Sequence, residues 1–101
     1  MDAHELKTWE DPFNDIWHNR KRHEIRKPDR DFKVWDRLYL REYNNTLKSY
    51  TGRWMEVEVT YMTKPGEWGI PNNICILSIQ VLERHNRPDD EPWKERATLP
   101  P

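Results

Sequence analysis

The sequence predicts a mostly β fold: a small, mainly antiparallel β-barrel of about five strands, with one short α-helix early in the chain. Three observations point there. The 101 residues are one domain's worth of chain, enough to bury a single core. Apolar and polar residues alternate with a period of two in several short segments. Only one stretch, near the N-terminus, has helical spacing. A two-layer α+β sandwich is the second arrangement this pattern allows.

Each element follows in order. His4 to Trp9 alternates loosely and reads as a first strand. Asp11-Pro12 opens a helix, with Asp as cap and Pro at the first helical position. Phe13, Ile16 and Trp17 form its apolar stripe, and Asn19 gives a left-handed exit. From Arg22 to Lys27, His23 and Ile25 share one face, and Arg22, Glu24 and Arg26 share the other. Pro28-Asp29 turns the chain.

Asp36 to Tyr43 is a clearer strand, with Leu38 and Leu40 on one side and Arg37, Tyr39 and Arg41 on the other. Arg53 to Met62 pairs with it as a hairpin. There Met55, Val57, Val59 and Tyr61 face the core, and Arg37 and Arg41 lie across from Glu56 and Glu58. Residues 64–71 form a Gly- and Pro-rich loop. Ile74 to Leu82 is the most apolar run and reads as a central strand buried on both faces. The domain therefore spans 1–83. Residues 84–101, with four prolines and eight charged residues, read as an exposed tail.

Composition removes several classes. Charged residues make up 35% of the chain and apolar ones no more, yet six Trp and four Tyr argue against disorder. No apolar run approaches a membrane span, and Met1 to Glu10 lacks the apolar core of a secretion signal. Cys75 is alone, which removes a disulfide framework and suits a reducing cytoplasm. His4, His18, His23 and His85 lack ligand spacing, so no metal is expected and each reads as a surface or capping residue. Nothing points to a cofactor.

The net charge of −1 hides a local imbalance. From Trp17 to Lys33 there are seven basic residues against three acidic ones. Such a segment can neutralise phosphates, although a solvated corner laced with ion pairs has the same composition. Lys21, Arg26, Lys27 and Arg30 are the candidate phosphate contacts. Glu24 either orders them or reads a base, and Lys7 and Trp9 flank them from the first strand.

The order of residues adds a resemblance. Asn19-Arg20-Lys21-Arg22-His23-Glu24-Ile25-Arg26 resembles the Gly-x-Lys-x-x-Glu-x-Arg signature of the ASCH domain superfamily, small PUA-like β-barrels, with Asn19 at the Gly position. His4 to Trp9, Arg26 to Phe32, Leu40 to Tyr43, Tyr50 to Arg53 and Val59 to Tyr61 are similar to a branch common in bacteria and their phages. That branch has largely been described as a domain of unknown function. The likeness covers about residues 4–82. Val34-Trp35-Asp36 departs from the usual Val-Gly-Asp.

The resemblance implies a groove between helix and barrel that holds RNA or a modified nucleotide, in a bacterial or phage-infected cytoplasm. It also implies an alternative. Some ASCH-type proteins are hydrolases on acetylated cytidine that use a Lys, a Thr and a Glu, and ribonuclease activity has been proposed in the superfamily. Lys21 matches the Lys, but the Thr position falls on Glu24, which has no hydroxyl. Thr8 is a spatial substitute that the sequence does not place. Lys21 and Glu24 would then carry general acid–base work.

The aromatics divide. Phe13, Trp17, Tyr61 and Tyr39 suit the core, while Trp9, Trp35, Trp54 and Trp68 are not so assigned. Trp68, in a Gly-flanked loop, either stacks on a base or caps the open end of the barrel. A third reading makes the chain a protein-interaction module, with Trp93 of the tail as a peptide-like anchor for a host factor.

Overall fold

The computed structural model describes residues 1–87 and 91–98. Parts of the expected tail, residues 88–90 and 99–101, lie outside them. The fold is mostly β, with elements β1 (Ala3–Trp9), α1 (Glu10–Trp17), β2 (His23–Arg26), β3 (Arg37–Asn44), β4 (Ser49–Thr63), β5 (Cys75–His85), α2 (Trp93–Arg96) and β6 (Ala97–Thr98). One sheet runs in the order β2-β5-β4-β3-β1-β6. Its first three pairings are antiparallel and the two that involve β1 are parallel. The sheet curls into a half-barrel, and α1 packs against β1, β3 and β5.

The inner face of the sheet carries the core: Leu6 of β1, Leu38 and Leu40 of β3, Met55, Val57 and Val59 of β4, and Cys75, Leu77 and Ile79 of β5. Phe13 and Ile16 close it from the helix. The helix starts differently from the expected Asp cap. Trp9 is the N-cap without a side-chain bond, and Pro12 sits in the first turn, where its missing N–H has no partner to lose. The exit is as the sequence reads: Asn19 takes a left-handed φ of 61°.

Asp36 anchors the N-terminal edge. Its buried carboxylate accepts bonds from the Asp2 and Lys33 amides and lies 2.9 Å from Nε2 of His4. His4 is thus a buried partner rather than a surface residue. The residue preceding Asp36, Trp35, has φ 76°, a conformation glycine takes without strain. This is the position where the resembling sequences carry Gly.

Two expectations about strand faces fail for one reason, register. The β4–β5 ladder skips Thr60 and Leu82, each the extra residue of a β-bulge. After the first bulge Met62 turns inward and Tyr61 outward, so Tyr61 is 61% exposed instead of buried. β5 is buried on one face only: Cys75, Leu77 and Ile79 point in, while Gln80 and Leu82 are exposed. Its apolar run mimics a doubly covered strand, but no second layer lies over it.

The outer face carries a small second cluster. Tyr39 and Trp54 are covered there by Trp93, which is 5% exposed, and His85 stacks on Trp54 at 3.9 Å. Among the described residues after 83, Trp93 is thus docked on the sheet and not exposed as the composition suggests. β5 runs through to His85, and β6 adds to the edge of β1. Arg37 meets Glu56 and Glu58 as expected, at 3.0 and 3.3 Å. Arg41 does not; it pairs with Glu5 and lies over the Tyr50 and Trp93 rings.

An ion pair on the buried carboxylate of Glu42 ties the helix to the hairpin. Arg53 donates to both oxygens of Glu42 at 2.9 and 2.8 Å, and also to Oδ1 of Asn14 on α1. Thr51 donates to Glu42 as well. Burial pushes the Glu42 carboxyl up, but the bonds from Arg53 and Thr51 and the charge of Arg53 outweigh it and hold the group below its ordinary value of 4.5.

Trp93→Ala is expected to lower the unfolding free energy by about 3 kcal/mol, as for other buried Trp truncations. The drop is read from the urea midpoint at unchanged slope, and an unchanged midpoint would show that the ring does not dock. Because the folded-state pKa of Glu42 is depressed, its contribution is complete above about pH 4.5 and is lost as pH falls through the lower folded value. Glu42→Gln is expected to flatten the acid limb of the stability–pH profile; an identical limb in the variant would contradict this.

Candidate functional site

The half-barrel does not close by strand pairing. Among the described residues, the edge of β1 that faces away from β3 pairs with β6 only at Ala3 and His4. Beyond that, side chains from the β2 side reach across. Arg26 donates to the carbonyl of Lys7 at 2.6 Å, and Arg30 to the carbonyl of Glu5 at 2.5 Å. They satisfy carbonyls that would otherwise lack a strand partner.

Glu24 is central to this seam. It is only 4% exposed, whereas its neighbour Ile25 is 51% exposed, so β2 turns its polar face inward. The reason is the seam itself: the inward position meets cations. Nε of Arg26 donates to Oε2 of Glu24 at 2.8 Å, and Nζ of Lys21 lies 3.6 Å from Oε1. A carboxylate so buried is stable only when paired. Lys21 reaches it because the left-handed turn at Asn19 ends the helix two residues earlier.

Two clefts open along the seam. One, of about 260 Å³, is lined by Lys7, Thr8, Trp9 and Pro12 on one side and by Lys21, Glu24, Ile25 and Arg26 on the other. The second, of about 320 Å³, shares Ile25 and Arg26 with the first and adds Leu6, Lys27, Asp29 and Arg30. Seven of the eight residues singled out from sequence thus come together: Lys7, Trp9, Lys21, Glu24, Arg26, Lys27 and Arg30. The cations are not equivalent. Arg26 is tied to Glu24 and β1, whereas among the described residues Lys21 has only the longer ion pair. Trp9, 58% exposed, lines the same cleft.

Trp68 is elsewhere. It sits in a short 3-10 turn, 93% exposed, and lines neither cleft. A ring so exposed does not cap the open end of the barrel either. Trp54 and Trp93, in turn, are structural. Thr8 is the residue that the sequence could not place. It lines the first cleft, 3% exposed, and its hydroxyl has no hydrogen-bond partner among the described residues. The only signal for it is its alternation with Leu6 on β1, which marks an inward position without saying that it lines the same cleft as Lys21 and Glu24.

Other chemistry is poorly supplied. Burial pushes the Cys75 thiol up, against a reactive thiolate. Among the described residues no group of three or more His, Cys, Asp or Glu is placed to hold a metal ion. No helix is long and apolar enough to cross a membrane.

No curated protein matches the chain. A family model does, over residues 3–79, from the start of β1 into β5, and so across the whole seam. With well over half of its length inside that match, the chain belongs to the family described as Domain of unknown function (DUF3850).

Proposed function

We propose that this chain is an RNA- or modified-nucleotide-binding module of the ASCH/PUA-like type. What supports the reading above all is the convergence of Lys21, Glu24 and Arg26 on an open cleft with an exposed Trp beside it. Phosphate binding needs cations held in place but not neutralised from every side. Glu24 and the carbonyl of Lys7 fix Arg26, Glu24 also holds Lys21 at the longer distance of 3.6 Å, Lys7 lies over the Tyr43 ring, and Lys27 lines the second cleft, so these cations stand around Arg26 for a phosphate to meet. Trp9 offers a π-face to a base, an interaction worth about 1–3 kcal/mol in single-strand binders. A lone buried thiol is compatible with a reducing compartment, and we place the module in the cytoplasm of a bacterial or phage-infected cell.

The unpartnered Thr8 hydroxyl favours a second reading, hydrolysis of an acylated nucleoside in the same cleft. Thr8 Oγ1 would attack the acyl carbon as Glu24 takes its proton. The C–N bond would then break with that proton passing to the leaving amine, and water would release the acyl group from Thr8. Lys21 would stabilise the oxyanion.

Binding of a labelled single-stranded RNA is expected to weaken steeply with salt. Lys21→Ala with Lys27→Ala is expected to cost about tenfold in affinity and to reduce the salt slope by roughly 0.7 for each phosphate no longer neutralised. Unchanged affinity in that folded variant would sink the assignment. Thr8→Val separates the two readings. It should leave RNA affinity intact, and it should abolish release of acetate from an N-acetylated cytidine if the second reading holds; turnover that survives in Thr8→Val would remove Thr8 from the chemistry.

A further inference from the structure

A third cleft, of about 630 Å³, adjoins the seam and shares Lys21 with it. Its cations are Lys21, Arg22 and Arg84, its neutral polar groups include Thr60, Ser78 and Gln80, and among the described residues no carboxylate lines it. We propose that this cleft receives the next nucleotides of a single RNA strand whose first phosphate lies at Lys21, so that the ligand is an oligonucleotide rather than a lone nucleotide. The inference rests on the nucleic-acid reading of the seam.

The cleft is built by the way β2 and β5 part. Their ladder ends at His23 opposite Ser78, followed by one bond from the Ile79 amide to the Arg22 carbonyl at 3.0 Å. β5 continues to His85, while the chain before β2 turns back to the helix. A second tie holds the far end: Arg84 donates to the Trp17 carbonyl at 2.8 Å and to Oδ1 of Asn19 at 3.1 Å. Between the two ties the edge of β5 stands open. The bulge at Thr60 lies on the floor of this opening, and bulges commonly re-aim a side chain beside a binding site.

The contents select the ligand class. An open strand edge also suits an added peptide strand, but three cations without an acid favour a polyanion. Hydroxyl and amide groups can pair with base edges and the 2′-hydroxyl, which are accessible on an unpaired strand. Arg84 keeps N–H donors beyond the two it uses. Arg22 is exposed and has only a long bond to the Asn19 carbonyl.

The test compares two probes on the full chain: hexauridylate, 5′-labelled, by fluorescence anisotropy, and uridine monophosphate, by competition. The hexamer is expected to bind at least about tenfold more tightly. Arg22→Ala with Gln80→Ala, two exposed positions, is expected to remove that advantage, to lower the salt slope by roughly 0.7, and to leave the mononucleotide affinity unchanged. Either single variant serves where the pair does not fold. Lys21→Ala weakens both probes. Equal affinity for the two probes, or a hexamer advantage that survives in the Arg22 and Gln80 variants, would overturn this proposal and leave the seam reading standing. Binding of neither probe, or capture only of an uncharged strand-forming peptide at this edge, would overturn both.

Discussion

The seam between β1 and β2 is the constraint on which the site depends. A sheet that ends in antiparallel β2 on one side, and on the other in parallel β1 with β6 over its first residues, brings two edges close without a shared ladder. The carbonyls of Glu5 and Lys7 then need donors, and long, planar guanidinium groups can span the gap. A carboxylate buried at such a seam needs a counter-charge, and Arg26 supplies it for Glu24. The same arrangement that closes the barrel therefore concentrates fixed positive charge along a line that strand pairing leaves open.

This ties the site to the fold rather than to a decorated loop. α1 ends at the Asn19 turn so that Lys21 can reach Glu24, and the Glu42–Arg53–Asn14 contacts hold the helix that sets that turn. Arg84, near the end of β5, bonds the same turn from the other side. The clefts on both sides of Lys21 share these supports. Site elements on rigid scaffolds hold their geometry better than those on free loops. The Trp68 turn is such a free element, and its ring lines neither cleft of the seam.

Much of this was legible in the sequence, for particular reasons. Alternation identified β3 and β4, and the Phe13, Ile16, Trp17 stripe identified α1, because both signals are local. The charge surplus between Trp17 and Lys33, with the order Lys21, Glu24, Arg26, identified most of the seam. What stayed hidden depends on register or on long-range packing. The bulge at Thr60 inverted Tyr61, and no residue near it announces a bulge. The partners of His4 and Trp93, Asp36 and the Tyr39–Trp54 pair, lie far away in sequence. Composition alone turned a docked segment into a tail, and assigned Arg84 to it. Alternation put Glu24 on one face of β2 with Arg22 and Arg26, and the unpaired edge of β1 explains why that position is buried.

The most direct test of the account is an amide and indole chemical-shift map of the 15N-labelled chain titrated with hexauridylate. The account predicts shifts confined to Lys7, Thr8, the Trp9 indole, Lys21 to Lys27, Arg30 and the β5 edge near Gln80, with the Trp68 indole unmoved. Shifts centred on the Trp68 turn, or on the outer-face cluster around Trp54 and Trp93 with the seam silent, would contradict it.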